Sequence, residues 1–136
     1  MILIDAVFIH TGGGKSLLDY LISELNKKDV EVFYLLDSRY KSQIPKIIGN
    51  VKFVSGFFNR CKFYNENKTK FSKIFCLGNI PPHLFLKHTH VLMYLHSASY
   101  LNTSVQTTLK QKITQYVKNR IFYTLLKNSN LWMVQT

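Results

Sequence analysis

A glycine-rich segment near the N-terminus has the residue types of a phosphate-binding loop. The stretch HTGGGKSLLDYL places Gly12, Gly13 and Gly14 directly before Lys15. Glycines at the start of a helix leave backbone N–H groups accessible, and the partial positive charge of the helix N-terminus favours an anion. Lys15 adds a cation. The segment therefore predicts a diphosphate site, and the competing interpretation is a flexible turn without a ligand.

Two common nucleotide sites compete for this segment. The P-loop motif G-x-x-x-x-G-K-[ST] requires glycine where the chain has Ile9, so ATP-binding chemistry of that kind is disfavoured. A dinucleotide site fits Gly12-x-Gly14, and Asp37 ends the next predicted strand, where it would hold a ribose hydroxyl. However, the third glycine of that motif is replaced by Leu17. A dinucleotide-binding oxidoreductase domain remains an alternative.

Two further polar segments each follow an apolar run. GNIPPH, residues 78–83, comes after KIFCL, and HSASY, residues 96–100, comes after VLMYL. Open α/β sheets bind ligands beyond the carboxyl ends of their strands, which is where both segments are expected. The histidine of HSASY could contact a sugar hydroxyl or transfer a proton, or could hydrogen-bond nearby backbone. The candidate site residues are His96, as the catalytic candidate, and Asn79, Ser97 and Tyr100, as binding residues.

Charge is distributed unevenly along the chain. The net charge is +11, and the last of the seven acidic residues is Glu66. A basic surface attracts anions such as nucleic acid, acidic lipid headgroups or nucleotide phosphates, although the amino-acid usage of an A/T-rich genome also produces many lysines. Acid–base catalysis commonly uses a carboxylate side chain as the base. The half of the chain after Glu66 can therefore bind and position a substrate, but it contains no carboxylate side chain for that role.

The histidines, cysteines and aromatic residues give weaker signals. His83, His88 and His90 fit no zinc spacing, so no metal is expected, and the two cysteines cannot form a disulfide framework. The segment from Phe57 to Phe71, a predicted loop or short helix, mixes aromatic and basic residues. That pattern suits a module that binds nucleic acid or makes peripheral contact with an anionic membrane. Its candidate cations are Lys62, Lys68 and Lys70.

Hydrophobic periodicity predicts one compact α/β domain with a mostly parallel sheet. No apolar run is long enough to span a bilayer and no signal peptide is recognisable, so a cytoplasmic setting is expected. Strands are predicted at residues 1–5, 30–36, 51–54, 73–77, 91–95 and 131–134, and helices at about 15–27, at 43–48 and from 109 to about 125.

The order and spacing of these motifs resemble a known enzyme family. TGGGKSLLDYL, LLDSR, CLGNIPP, VLMYLHSASYL and the terminal WMVQT are together similar to the N-terminal domain of a bacterial retaining glycosyltransferase of the group 1 (family 4) type. The resemblance implies a Rossmann-like three-layer sandwich that forms one half of a GT-B architecture. Residues 1–136 would be the acceptor-side domain, and the C-terminal donor-binding domain is absent from this chain.

The resemblance also implies how the site would work. Gly12, Gly13 and Gly14 would face the diphosphate of a nucleotide-sugar donor, and His96 would lie near the donor sugar. The acceptor would be a glycan or a lipid-linked sugar in surface polysaccharide synthesis. No cofactor or metal is expected, since backbone dipoles and Lys or Arg would neutralise the diphosphate. No specific nucleic acid is expected as a partner, and the chain alone is expected to be inactive.

Overall fold

Short runs rich in Ile, Leu, Val and Phe form the strands of a single sheet. The computed structural model describes residues 1–95 and 108–134. Within them the strands are β1 (Ile2–Ala6), β2 (Val32–Asp37), β3 (Asn50–Val54), β4 (Lys73–Cys76), β5 (His90–Leu95) and β6 (Leu131–Val134). The helices are α1 (Gly12–Leu25), α2 (Gly56–Glu66) and α3 (Leu109–Leu125).

The sheet has the strand order β3-β2-β1-β4-β5-β6, and every neighbouring pair is parallel. This order and the helices on the two faces confirm the predicted α/β, Rossmann-like three-layer sandwich. The chain moves away from β1 in one direction through β2 and β3, then returns to the other side of β1 through β4. The strand order therefore reverses between β1 and β4, where Asp5 is the register partner of Cys76.

Alternating residues of the strands build a separate core on each face. On one face Ile4 and Leu36 pack with Leu18 and Ile22 of α1. Burying a side chain of this size stabilises the fold by roughly 1.5–3 kcal/mol. On the other face the core includes Leu3, Leu35, Ile74 and Met93 from the sheet, Phe63 and Tyr64 from α2, and Phe122 from α3.

Two helix predictions need correction. The helix predicted at residues 43–48 is wrong, because residues 44–48 are not helical and a 3-10 helix lies earlier, at Ser38–Gln43. Ile44 has an extended backbone with φ −72° and ψ 133°, as expected for a residue that precedes a proline, here Pro45. The segment predicted as a loop or short helix contains the regular helix α2, Gly56–Glu66.

Half of one sheet face has no described helix against it. Right-handed crossovers place α1 on one face, over β1 and β2, and place α2 and α3 on the other. The α1-side face beyond β1 contains an apolar groove of about 480 Å³, with Ile2, Phe75, Leu92 and Leu131 in its lining. None of the described helices is long and apolar enough to cross a lipid bilayer.

Candidate functional site

The candidate site is the crevice above the carboxyl ends of β1 and β4. The loop from Val7 to Thr11 leaves β1 here, and the loop from Leu77 to Pro82 leaves β4 here. The two strands are neighbours and the strand order reverses between them. In open α/β sheets this reversal point separates the loops on either side and so opens a crevice for ligands.

The three glycines form the first turn of α1. The helix begins at Gly12 rather than at Lys15, and Gly12 has the left-handed φ of +66°. The preceding Thr11 makes no side-chain capping hydrogen bond. The first N–H groups of a helix have no partner within the helix, so those of this turn are available to an anion. A Cβ placed on Gly12 or Gly13 would meet no atom within 4 Å, which shows that this turn faces open space.

Lys15 lies in the same turn, but its charge is paired. Its Nζ is 2.7 Å from Oδ2 of Asp19 and 5.6 Å from the centre of the Tyr40 ring. The Tyr40 hydroxyl donates a hydrogen bond to the other oxygen of Asp19. Burial and the Asp19 carboxylate raise the pKa of Tyr40 well above its usual value. Lys15 is thus held beside the glycine turn by Asp19.

Asn79 is positioned by an unusually close contact between the two loops. It is buried and has a left-handed φ of 58°, a conformation that asparagine tolerates better than most residues. Immediately before it, a Cβ on Gly78 would lie 2.4 Å from the carbonyl oxygen of Val7. In addition, the Leu77 N–H donates to the Asp5 carbonyl at 2.8 Å. The structure therefore brings the Asn79 loop against the loop that leads to the glycines.

A buried polar network lies under the crevice. Oδ2 of Asp5 accepts hydrogen bonds from Nε of Arg60 at 2.8 Å and from the Tyr64 hydroxyl at 2.5 Å. The Cys76 thiol lies 3.9 Å from both of these partners. All four side chains are almost fully buried. Burial and the Asp5 charge raise the pKa of Cys76 to about 12, so this thiol stays protonated at neutral pH.

Arg60 also supports the Asn79 loop from below. Its guanidinium donates to the carbonyl oxygens of Ile80 at 2.8 Å and Pro81 at 3.1 Å. Asn128, after α3, donates to the Pro82 carbonyl at 2.8 Å. These bonds satisfy loop carbonyls that would otherwise be buried without partners. The loop that contains Pro81 and Pro82 is consequently held by side chains from α2 and from the segment after α3.

Asp37 fixes the other wall of the crevice. It accepts two hydrogen bonds from the Arg39 guanidinium, at 2.8 and 2.7 Å, and one from the Phe8 N–H at 3.1 Å. The hydrogen bonds from Arg39 lower the pKa of Asp37 to about 2. Phe8 has φ +83°, a strained backbone that costs on the order of 1–3 kcal/mol and tends to cluster at functional sites. Asp37 therefore stabilises this strained residue between β1 and the glycine turn.

The electrostatics of the described crevice favour an anion. Both strand-end carboxylates, Asp5 and Asp37, are buried and paired with arginines. Neither is poised to accept a proton from a substrate, because each already accepts charge-assisted hydrogen bonds. The groups exposed to solvent at the crevice are backbone N–H groups and the side chain of Arg39. Asp19, the carboxylate beside the glycine turn, is likewise paired, with Lys15 and Tyr40. This arrangement can bind and orient a phosphate, and none of these three carboxylates is without a partner.

The predicted site residues divide into two groups. Gly12, Gly13, Gly14 and Lys15 lie in the first turn of α1 and Asn79 lies on the loop after β4, so all five are at the crevice. His96, Ser97 and Tyr100 lie outside the described residues.

Sequence reasoning missed Arg60, Tyr64 and Phe8. Asp5 at the end of an apolar strand could have signalled Arg60, because a buried carboxylate needs a partner and arginine is the residue best suited to buried ion pairs. The hydrogen-bonding role of Tyr64 and the backbone strain at Phe8 had no comparable signal.

The other candidate residues lie apart from the crevice mouth. Among the described residues, no three His, Cys, Asp or Glu side chains are grouped as metal ligands. Burial and the charges of Arg60 and Lys68 lower the pKa of His83, which favours its neutral form. In the segment from Phe57 to Phe71, the rings of Phe63, Tyr64 and Phe71 are buried in the core, so they are not available for stacking on bases.

Comparisons with known proteins do not assign the chain to a family. No protein-family model, curated protein or solved structure matches it.

Proposed function

We propose that this chain is the acceptor-side, N-terminal domain of a retaining glycosyltransferase. The whole enzyme would move a sugar from a nucleotide-sugar donor to a glycan or lipid-linked acceptor in surface polysaccharide synthesis. The crevice of this domain would hold the donor diphosphate against a second domain. Transfer would occur at the cytoplasmic side of the membrane.

The observation that carries this proposal is the glycine turn at the reversal point of the sheet. Three consecutive glycines form the uncapped start of α1, Gly12 and Gly13 face open space, and Asn79 lies on the adjoining loop. A diphosphate placed there would accept hydrogen bonds from backbone N–H groups and sense the positive end of the helix. Such binding needs no metal, because the donors themselves neutralise the phosphate charge.

The pairing of Asp5 and Asp37 supports a division of labour between two domains. Since both carboxylates are tied to arginines, the described crevice supplies hydrogen-bond donors and not a base. The resemblance of the sequence assigns sugar-nucleotide binding mainly to a second domain. We therefore expect this chain alone to bind a nucleotide diphosphate weakly and to transfer no sugar; robust transfer by residues 1–136 would contradict the division.

Calorimetric titration with uridine diphosphate and adenosine diphosphate tests the proposal. Gly13→Val places a branched side chain where a Cβ has open space, so the variant should fold and yet obstruct the phosphate. We expect at least one of the two nucleotides to bind, and the substitution to weaken that binding about tenfold, which corresponds to roughly 1.4 kcal/mol. Gly13→Ala is the matched control and should weaken it less. Equal binding by wild type and Gly13→Val would reject the glycine turn as the site.

A dinucleotide-binding oxidoreductase domain is the second candidate. It is favoured by the strand order and by Asp37, which ends β2 where such proteins hold a ribose hydroxyl. Arg39 already occupies both oxygens of that carboxylate, so a ribose would have to displace it. Tight binding of a nicotinamide or flavin dinucleotide that Asp37→Ala abolishes would favour this function over sugar transfer.

A further inference from the structure

Helix α3 exposes its apolar side. Phe122 is its buried residue, and the ring lies 5.9 Å from that of Trp132 in β6. Leu125 is half-buried, and the other large apolar residues of the helix are exposed. We call them the outer face of α3: Leu109, Ile113, Tyr116, Val117, Ile121 and Tyr123.

Helical geometry places these residues on one continuous surface. At 3.6 residues per turn, the outer face covers an arc of roughly 160°, and Phe122 points roughly opposite to its centre. The half-buried positions of α3 are the polar Gln115 and Asn119 and the apolar Leu125 near its end. A surface helix normally turns its apolar stripe toward the core. In α3 most of the apolar residues lie instead on the outer face, which is exposed. An exposed apolar surface of this kind is typical of a site that binds a partner.

The cations of α3 identify the chemistry of that partner. Lys110, Lys112, Lys118 and Arg120 are all exposed, and the helix contains no acidic residue. By helical position, Arg120 lies within the outer face, and Lys110 and Lys112 lie toward its two sides. Since the sequence has no Asp or Glu after Glu66, no neighbour along this part of the chain neutralises them.

We propose that the outer face of α3 binds the surface of an anionic lipid bilayer. Leu109, Ile113 and Val117 would enter the boundary between headgroups and acyl chains, while Tyr116 and Tyr123 would lie at headgroup depth. The lysine stems would lie along the apolar surface and their ammonium groups would contact lipid phosphates. The cores of protein–protein interfaces, in contrast, are depleted in lysine. This inference does not depend on the proposed sugar transfer.

Vesicle flotation of the intact chain tests the proposal. The probes are vesicles of phosphatidylglycerol and phosphatidylcholine in equal parts, and vesicles of phosphatidylcholine alone. The wild type should float with the anionic vesicles, bind the neutral ones at least tenfold more weakly, and be released by salt, because each surface cation contributes about 1 kcal/mol. Absence of binding to the anionic vesicles would overturn the proposal.

A matched pair of triple variants tests whether membrane binding requires the outer face of α3 or only exposed apolar side chains in general. Ile113→Ser/Tyr116→Ser/Val117→Ser removes side chains that are 57, 65 and 49% exposed. The control Ile48→Ser/Tyr20→Ser/Val30→Ser changes the same residue types, 63, 64 and 43% exposed, elsewhere on the surface. We expect the first variant to lose at least about tenfold in partitioning and the control to match the wild type. Equal losses in both would overturn the proposal.

Two further measurements keep the outcome unambiguous. The single tryptophan, Trp132, packs against Phe122, so its emission reports whether α3 remains docked in each variant. Light scattering without lipid tests whether a second copy covers the outer face instead. A wild-type dimer that becomes monomeric in the α3 variant, without vesicle binding by either, would assign the face to self-association and contradict the lipid proposal.

Discussion

At the scale of single residues, the crevice depends on two arginines. Arginine occurs at positions 39, 60 and 120, against fifteen lysines. The first two arginines pair with Asp37 and Asp5, the carboxylates that lie at the ends of β2 and β1. A guanidinium can donate several hydrogen bonds in a fixed plane, which suits a buried carboxylate better than a lysine does. The aspartates of this edge are therefore structural anchors for the loops, and the loops supply the ligand contacts.

The pairing of Asp37 predicts a pH-dependent loss of stability. Its pKa is about 2 in the folded chain and is expected near 3.9 in the unfolded chain, so the stabilisation is fully present above pH 4 and is lost as the pH falls through 2. We expect Asp37→Asn to lower the free energy of unfolding at pH 7 by about 1–2 kcal/mol. The pKa shift alone would give a larger effect, but solvent around the exposed Arg39 screens its charge. Urea unfolding of both proteins at several pH values measures this; a difference that stays constant down to pH 2 would contradict it.

Gly78 predicts a stability effect that Gly13 of α1 does not share. A Cβ there would lie 2.4 Å from the Val7 carbonyl, so Gly78→Ala should force the two crevice loops apart and destabilise the fold by about 2 kcal/mol. Gly13→Ala is the control, because its Cβ would meet no atom within 4 Å; it should be neutral or slightly stabilising. Thermal unfolding of the two variants compares them. Similar melting temperatures would show that the close approach is not required.

At the scale of elements, the local sequence pattern predicted helices and strands correctly where tertiary packing favours the same structure. Apolar runs located all six described strands, because a parallel sheet buries both faces of its strands. The helix predicted at residues 43–48 failed because Pro45 and the hydrogen bonds of Asp37 favour a 3-10 helix immediately after β2. The sequence also could not predict that most apolar residues of α3 are exposed. Hydrophobic periodicity identifies an apolar face of a helix, but it does not show what that face packs against.

The crevice was predictable in location but not in its internal contacts. The glycines and Asn79 follow strands, and the topology of parallel sheets brings strand ends to one edge. In contrast, Asp5 and Arg60 are 55 positions apart, and no local pattern joins them. The same holds for the contact of Gly78 with Val7, which requires the pairing of β1 with β4 before it can exist.

One buried ion pair, between Arg60 and Asp5, ties helix α2 to the sheet, and its loss should destabilise the fold strongly. Arg60→Met would leave Asp5 charged and buried without its partner and is expected to cost about 3–5 kcal/mol. Asp5→Asn/Arg60→Met removes both charges and should be more stable than the single variant. The exposed neighbour Lys62→Met serves as the control and should change stability by less than about 0.5 kcal/mol. A double variant less stable than Arg60→Met would contradict the account, as measured by urea unfolding.

At the scale of the whole molecule, the described helices cover the two faces of the sheet unequally. The half that contains β1 and β2 lies between α1 and α2, whereas the α1-side face of β4, β5 and β6 has the open groove beside Leu131. β6 is an edge strand, and its residues Leu131, Trp132, Met133 and Val134 are all exposed. An exposed apolar edge strand presents unpaired backbone groups to other chains.

This asymmetry predicts self-association of the isolated chain. Leu131 is 65% exposed at the edge, and a charge there is a common means of blocking strand pairing. We expect concentration-dependent association of the wild type in sedimentation experiments, and at least a severalfold weaker association for Leu131→Lys. Lys127→Leu/Leu131→Lys, which keeps the net charge unchanged, separates edge blocking from simple repulsion. Equal association in all three proteins would contradict the prediction.

The most direct test of the central proposal is a nuclear magnetic resonance titration of the ¹⁵N-labelled chain with uridine diphosphate and, separately, adenosine diphosphate. A nucleotide diphosphate bound at the crevice should shift the backbone amide signals of Gly12, Gly13, Gly14 and Asn79, and in Gly13→Val the shifts of the remaining residues should need about tenfold more nucleotide. Shifts confined to the region of Lys62, Lys68 and Lys70, or no shifts with either nucleotide, would contradict a diphosphate site at the glycine turn.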